Sequence, residues 1–288
     1  MKHKLALISA IAIASTWAAV SSAQPIPPVS PSIGLSPPAV CDGFFEGAQE
    51  PALMSTPSLP TRTERTVCHS FYAISESAEL RDPLWSAEHL TKDMAIGGDS
   101  IARIDQGFVK DGGIENADQA SDSDYLAPYD RGHMTPANDA PDDTSQRDTF
   151  VLTNAVPQHN KLNRHLWFYL EAAVHQVAES EGEVYVVTGP IFAKRPPLMH
   201  GRVAVPKATF KAIYIPARNL AVGYVATNTS IPTCRAFPIA EIIRQSGIDP
   251  FPALSTEIKS SQSSFALPAG INVKSNGRKQ RLPLPDCR

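Results

Sequence analysis

The stretch Tyr129-Asp130-Arg131-Gly132-His133-Met134 sets a cation and a proton acceptor two residues apart beside a glycine. That pairing suits phosphodiester hydrolysis. In an extended segment residues i and i+2 face the same way, so Arg131 can hold a phosphate while His133 takes a proton from an attacking water. Gly132 between them permits close approach of a backbone or a ligand. On these residues alone, a surface turn with a solvated histidine is an equal reading.

Downstream, Leu162, Leu166, Leu170, Val174 and Val177 recur at spacings of four and three, the apolar stripe of a helix packed on a core. Asn163, Trp167 and Glu171 stand beside that stripe at i, i+4 and i+8. At roughly 100° per residue, Asn163 and Glu171 fall about 80° apart around the axis, near enough to share one site. A carboxamide and a carboxylate are oxygen donors suited to a hard cation such as Mg²⁺, which keeps several waters and takes few protein ligands. Each residue also has a plainer reading: Asn163 as a cap near the helix start, Glu171 as a solvated acid and Trp167 as core.

Together these blocks resemble the DNA/RNA non-specific endonucleases, the ββα-metal (His-Me finger) group. The resemblance rests on Tyr129 to Asp139 (YDRGHMTPAND), Thr153 to Gln158 (TNAVPQ), Asn163 to Trp167 (NRHLW) and Leu170-Glu171, in the family's order and approximate spacing. It extends more weakly through Arg103 to Phe108, Thr188 to Pro190 and Val203 to Lys207, over roughly residues 68 to 250. It implies a central antiparallel sheet flanked by helices, and cleavage of DNA and RNA that leaves 5′-phosphate ends. It further implies His133 as general base, Asn163 as the direct ligand of a hydrated Mg²⁺ (Mn²⁺ as a substitute), and Glu171 as an acid that reaches the ion through water. Arg131 and Arg103 would hold the phosphate; Arg81, also upstream, competes with Arg103 for that part. An unperturbed histidine titrates near ~6.5, so a neutral imidazole is available as a base at neutral pH.

Other chemistries fit less well. His159, His165 and His175 form no His-Glu-x-x-His pattern, and no Cys-x-x-Cys pair supports zinc. No Gly-x-Ser-x-Gly elbow supports a serine esterase or phosphatase. A catalytically inactive nucleic-acid-binding protein of the same fold is the alternative, disfavoured because His133, Asn163 and Glu171 are all present.

Lys2 and Lys4, an apolar run from Leu5 to Val20 and Ser21-Ser22-Ala23 read as an export signal cleaved after residue 23. Nothing downstream approaches a transmembrane helix in length, so the mature protein is expected to be exported, periplasmic or extracellular, with no membrane partner. Six prolines lie between Pro25 and Pro38, so residues 24–40 are expected to be a linker and 41–288 a single nuclease domain. Cleavage leaves 24 basic and 29 acidic residues, a net charge of −5. Phosphate binding therefore needs a local cluster, for which Lys161, Arg164, Lys194, Arg195, Arg202, Lys207 and Lys211 are candidates. In an oxidising compartment the four cysteines are expected to form two disulfides. Pairing Cys41 with Cys68 and Cys234 with Cys287 would tie down both terminal segments.

The elements that must position the site read as α+β with an antiparallel sheet. Strands are expected at Ser70 to Ile74, Leu84 to Leu90, Phe150 to Asn154 (closed by Pro157) and Val184 to Gly189, with Phe210 to Ile215 and Leu220 to Ala226 joined near Asn219. A helix from Ile239 to Gln245 ends at Gly247. Residues 96–128 read mostly as loop. Asp130 is expected to position Arg131 or the local turn, and Asn154 to brace the His133 loop.

Overall fold

Apolar side chains on both faces of successive strands build a seven-stranded sheet that is covered on each side. The computed structural model describes residues 41–54, 64–262, 265, 267–268, 270–275, 278–283 and 287, all within one unit, Ser36–Arg288. The expected export signal and the whole of the proline-rich linker lie outside the described residues. In chain order the strands longer than two residues are β1 (Glu64–Cys68), β2 (Tyr72–Ser77), β3 (Asp82–Thr91), β4 (Tyr129–His133), β5 (Ala155–His159), β6 (Glu183–Ile191), β7 (Ala208–Ile215), β8 (Leu220–Thr227), β9 (Cys234–Phe237), β10 (Gly270–Ser275) and β11 (Arg278–Pro283). The main sheet runs β9-β8-β7-β6-β3-β2-β1, antiparallel throughout. The fold is α+β, as the sequence pattern implied.

Two helices border the site, α1 (Lys92–Gly98) and α2 (Phe168–Glu181), while α3 (Ile239–Ser246) packs on the other side of the sheet. Strand alternation sends Val186, Ile213 and Val222 to one face, where they meet Leu166, Leu170, Val174 and Val177. Val187, Ala212 and Ala221 go to the other face, with Ile239 and Ile242 of α3. Each fully buried Leu or Val in these layers contributes about 1.5–3 kcal/mol. The β7–β8 hairpin turns at Asn219, whose φ of 46° is left-handed, and α3 stops at Gly247 with φ 77°. Both were expected from those residue types.

Three expectations need correction. The apolar segment at Phe150 to Asn154 is not a strand: Leu152–Asn154 is a 3₁₀ turn and β5 begins at Ala155. Pro157 sits inside β5 rather than closing it, because β4 and β5 pair only with each other and a two-stranded ribbon tolerates a residue without an N–H. The stretch read as loop also takes in the last three residues of α1, a helix capped by the Thr91 hydroxyl on Met94 N. Finally, Leu162–Trp167 is a π-helical turn leading into α2, so the 80° estimate for Asn163 and Glu171 does not apply across it.

Disulfides join Cys41 to Cys68 and Cys234 to Cys287. No helix of the described residues is long and apolar enough to cross a membrane.

Candidate nuclease site

The ribbon β4–β5, the π turn and α2 follow one another in the chain as a ββα unit, and one cleft of about 570 Å³ opens on it. His133, Arg131, Arg103, Asn163 and Glu171 all line that cleft. Arg81 does not; its Nε donates to Ala117 O at 2.9 Å on the β2–β3 turn. Of the two upstream arginines, Arg103 is therefore the one that faces His133.

Ribbon register sets the histidine. Arg131 lies opposite Pro157, Gly132 opposite Val156 and His133 opposite Ala155. The close approach that Gly132 permits is taken by Gln158, whose Cβ would lie 2.5 Å from any Cβ added there. Asn154 braces the following loop as expected: its amide nitrogen donates to Thr135 O and Thr149 O, and its oxygen accepts from Thr135 N. Asn228, absent from the sequence argument, holds the ribbon's far end by accepting from His159 N at 2.6 Å and donating to Pro157 O at 2.8 Å.

His133 packs edge-on to Phe150 and beside Phe108, with ring centroids 5.0 and 4.7 Å away. Its Nε2 is cut off from solvent and has no hydrogen-bond partner. Burial, with the Arg103 charge adding to it, pushes the imidazole down to about 3. The ring is therefore neutral and its nitrogen lone pair is available. Arg103 extends over the Phe150 ring at 5.2 Å. Arg131 lies over Tyr125 and is held by Asp122, with Nε 2.6 Å from Oδ1 and Nη2 donating to the Asp122 carbonyl at 2.7 Å.

Asp130 does not position Arg131. Its carboxylate accepts from Asn163 Nδ2 at 3.1 Å and takes two bonds from Arg164 at 2.7 Å each. Partial burial opposes its charge, yet these hydrogen bonds hold Asp130 below the usual carboxylate range. Because the Asn163 amide nitrogen is committed to Asp130, its carbonyl oxygen is turned away from that acid. Glu171 Oε1 is buried without a partner, and burial raises its carboxyl to about 8 against the pull of Lys211. Trp167 is core, as its position beside the stripe allowed.

Lys211 is a correction. It is not part of a surface groove but fully buried in β7, donating to Thr188 Oγ1 at 2.7 Å and lying 5.6 Å from the Trp167 ring centroid. A lysine within a β-branched and aromatic strand was the available signal. Lys161, Arg164, Lys194, Arg195, Arg202 and Lys207 are exposed.

Two donor sets in the cleft are candidates for a cation. Asp99, His175 and Glu179 bring ligand atoms within 4.8 Å of one another and form a possible metal site. His175 Nε2, however, lies 3.0 Å from Ala95 O, which can only accept, while Nδ1 lies 2.6 Å from Asp139 Oδ1. A ring that donates from Nε2 has no lone pair there for an ion. The Asn163 oxygen with the unpartnered Glu171 Oε1 is the better fit, since both are hard oxygen donors and one is buried with its need unmet. Neither Asp139 nor its bond to His175 was foreseen, because nothing local links residues 36 apart.

A profile of the DNA/RNA non-specific endonuclease family matches residues 50–257. The chain is 35% identical over 158 residues to Nuclease C1 of Cunninghamella echinulata var. echinulata, covering 50% of this chain and 63% of that protein. It is 36% identical over 126 residues to a nuclease of Syncephalastrum racemosum, covering 43% and 39% respectively. The matches thus span less than two thirds of the length of these relatives. A chain in a crystal structure of an EndoG/EndoGI complex superposes with a TM-score of 0.61 at 26% identity, covering 68% of this chain and 89% of that one.

Proposed function

Because this chain belongs to the DNA/RNA non-specific endonuclease family, we propose that it is an exported, Mg²⁺-dependent endonuclease that hydrolyses DNA and RNA with little sequence preference. One observation carries this reading: two buried, unpartnered atoms, His133 Nε2 and Glu171 Oε1, belong to residues that line one cleft with Arg103, Arg131 and Asn163.

His133 is the general base and takes the proton of the attacking water on Nε2. Its low proton affinity in the free protein comes from burial and from Arg103, so an anionic phosphate at Arg103 offsets part of the depression and strengthens the base as substrate arrives. Arg103 and Arg131 hold the phosphate oxygens as charge accumulates on them. Asn163, oriented by Asp130, would offer its carbonyl oxygen to Mg²⁺ or Mn²⁺, and Glu171 would act on the ion through water. When bound, the ion supplies positive charge beside the phosphate and the leaving oxygen. Contacts made to the backbone carry no sequence information. Export is supported by the two disulfides, which suit an oxidising compartment.

Plasmid nicking tests the reading. Wild type should cut with Mg²⁺, stop with EDTA, and lose most activity as His133→Ala. Absence of cutting, or cutting that persists in EDTA, overturns it.

A further inference from the structure

We propose that Lys211 is a positioning residue for the cleavage site, a buried cation of the sheet that sets the strand carrying His133 against the turn carrying Asn163. The proposal rests on the nuclease reading, which assigns those two residues to one reaction.

A fully buried lysine needs a reason. Taking an ammonium out of water costs heavily unless it is paired and hydrogen-bonded, and an apolar side chain would fill this place in β7 without that cost. Register puts Lys211 opposite Thr188 of β6 and Tyr224 of β8, two residues from Ile213. It therefore projects from the face of the sheet that packs on α2. Glu88 of β3, opposite Val186, is on that same face and equally buried. Neither of its oxygens has a hydrogen-bond partner among the described residues, so a direct pair with Glu88 does not account for the lysine.

What the ammonium does touch is the site, from both sides. Nζ donates to Thr188 Oγ1 at 2.7 Å and reaches Met134 O at 3.5 Å. Met134 directly follows His133 at the end of β4, and its own N–H donates to Asn154 O at 2.9 Å. The same Nζ lies 5.6 Å from the centroid of the Trp167 ring, within the range of a cation–π contact. Trp167 belongs to the π turn, four residues after Asn163 and four before Glu171. Asp130 joins the two halves where solvent still reaches, its side chain being 20% exposed; Lys211 joins them inside the core. A carbonyl oxygen and an aromatic face are both electron-rich, so a cation attracts both, whereas an apolar side chain of similar length attracts neither.

The test compares full-length wild type with K211M by steady-state cleavage at saturating Mg²⁺. Since a misplacement of about 1 Å can cost 10²-fold, kcat should fall by about 10- to 100-fold while KM changes by less than about twofold, the phosphate contacts of Arg103 and Arg131 being untouched. If K211M does not fold, E88Q/K211M, which leaves no acid at position 88 facing an apolar side chain, takes its place with the same expectation. A lower melting temperature with kcat per folded molecule unchanged gives the lysine a purely structural part and overturns the proposal, as does a loss that lies in KM alone. Crystal structures read the same relation without activity. The variant should show His133 and Asn163 displaced relative to one another by about 1 Å, and superimposable sites overturn the proposal. If wild type cuts nothing, the nuclease reading fails on its own, and that structural comparison still decides about Lys211.

Discussion

Asp130 and Asn163 meet across the ββα unit, the β4 carboxylate accepting from the amide nitrogen of the π turn at 3.1 Å. This bond decides which end of the carboxamide faces the cleft. Without Asp130, the amide can rotate and present a donor where an acceptor is required. Partners that orient a metal ligand are typically worth 10–100-fold in affinity or activity. Asp130→Ala should therefore raise the Mg²⁺ concentration needed for half-maximal cleavage by about that factor, with little change in melting temperature. An unaltered Mg²⁺ titration would contradict the orienting role.

His133 should behave as a base that stays neutral throughout the physiological range. Burial and Arg103 take its proton affinity down to about 3, below the unfolded value of ~6.5. The unfolded chain therefore binds the extra proton first, and this site reduces stability as pH falls from 6.5 toward 3. The ring resonances of His133 should not titrate between pH 5 and 8 by NMR in the free protein, and His133→Ala should lose roughly 10²–10⁴ in kcat.

Arg103 and Arg81 make a paired comparison. Arg103→Ala should lower kcat/KM by at least an order of magnitude, because the guanidinium faces the His133 cleft and opposes charge developing on the phosphate. Arg81→Ala should leave kcat/KM within about twofold. Its donor is spent on Ala117 O, and its φ of 52° marks a turn rather than a site. The reverse ranking in a steady-state assay would move the phosphate site.

His175 and Asp139 tie α2 to the loop after β4. Burial opposes the imidazolium, yet the Asp139 hydrogen bond and charge, followed by Asp99 and Glu179, raise its proton affinity. Ala95 O accepts the remaining ring proton. The contribution to stability is complete below the unfolded value of ~6.5 and is lost as pH rises through the higher folded value. Breaking such a buried pair costs about 3–5 kcal/mol. His175→Gln should accordingly lose more stability at pH 6 than at pH 9 in urea unfolding, and an equal loss at both would show that the ring is neutral.

Gly132→Ala should damage fold and activity together. The added methyl would press on Gln158 Cβ and Oε1 at 2.5 Å, and overpacking of this kind costs about 1–3 kcal/mol. Thermal melts and the nicking assay should both fall, since parting β4 from β5 displaces His133.

Most of the site was legible before the fold was known, for physical reasons. Arg131 and His133 needed only strand alternation to share a face, and the leucine stripe located the helix that carries Glu171. Asn219 and Gly247 announced their turns through backbone conformations few other residues accept. What stayed hidden depends on tertiary context. Pro157 reads as a terminator unless β4 and β5 are known to form an isolated ribbon. Lys211 reads as solvated unless the β7 register is known to turn it inward toward Thr188. Helix α1 holds two glycines in seven residues, too little periodicity to register.

The π turn at Leu162–Trp167 gives this chain an unequal tolerance of sequence change. A wide turn accommodates one residue more than a regular α-helix, and the residues on either side are phased by that surplus. Deleting a single residue within it could restore ordinary helical hydrogen bonding and leave α2 well formed, yet it would swing Asn163 by about 100° around the axis. Ancestral or engineered variants that shorten this turn should thus fold soundly while the asparagine addresses the wrong side of the helix, a loss that inspection of the aligned residue types alone would not reveal.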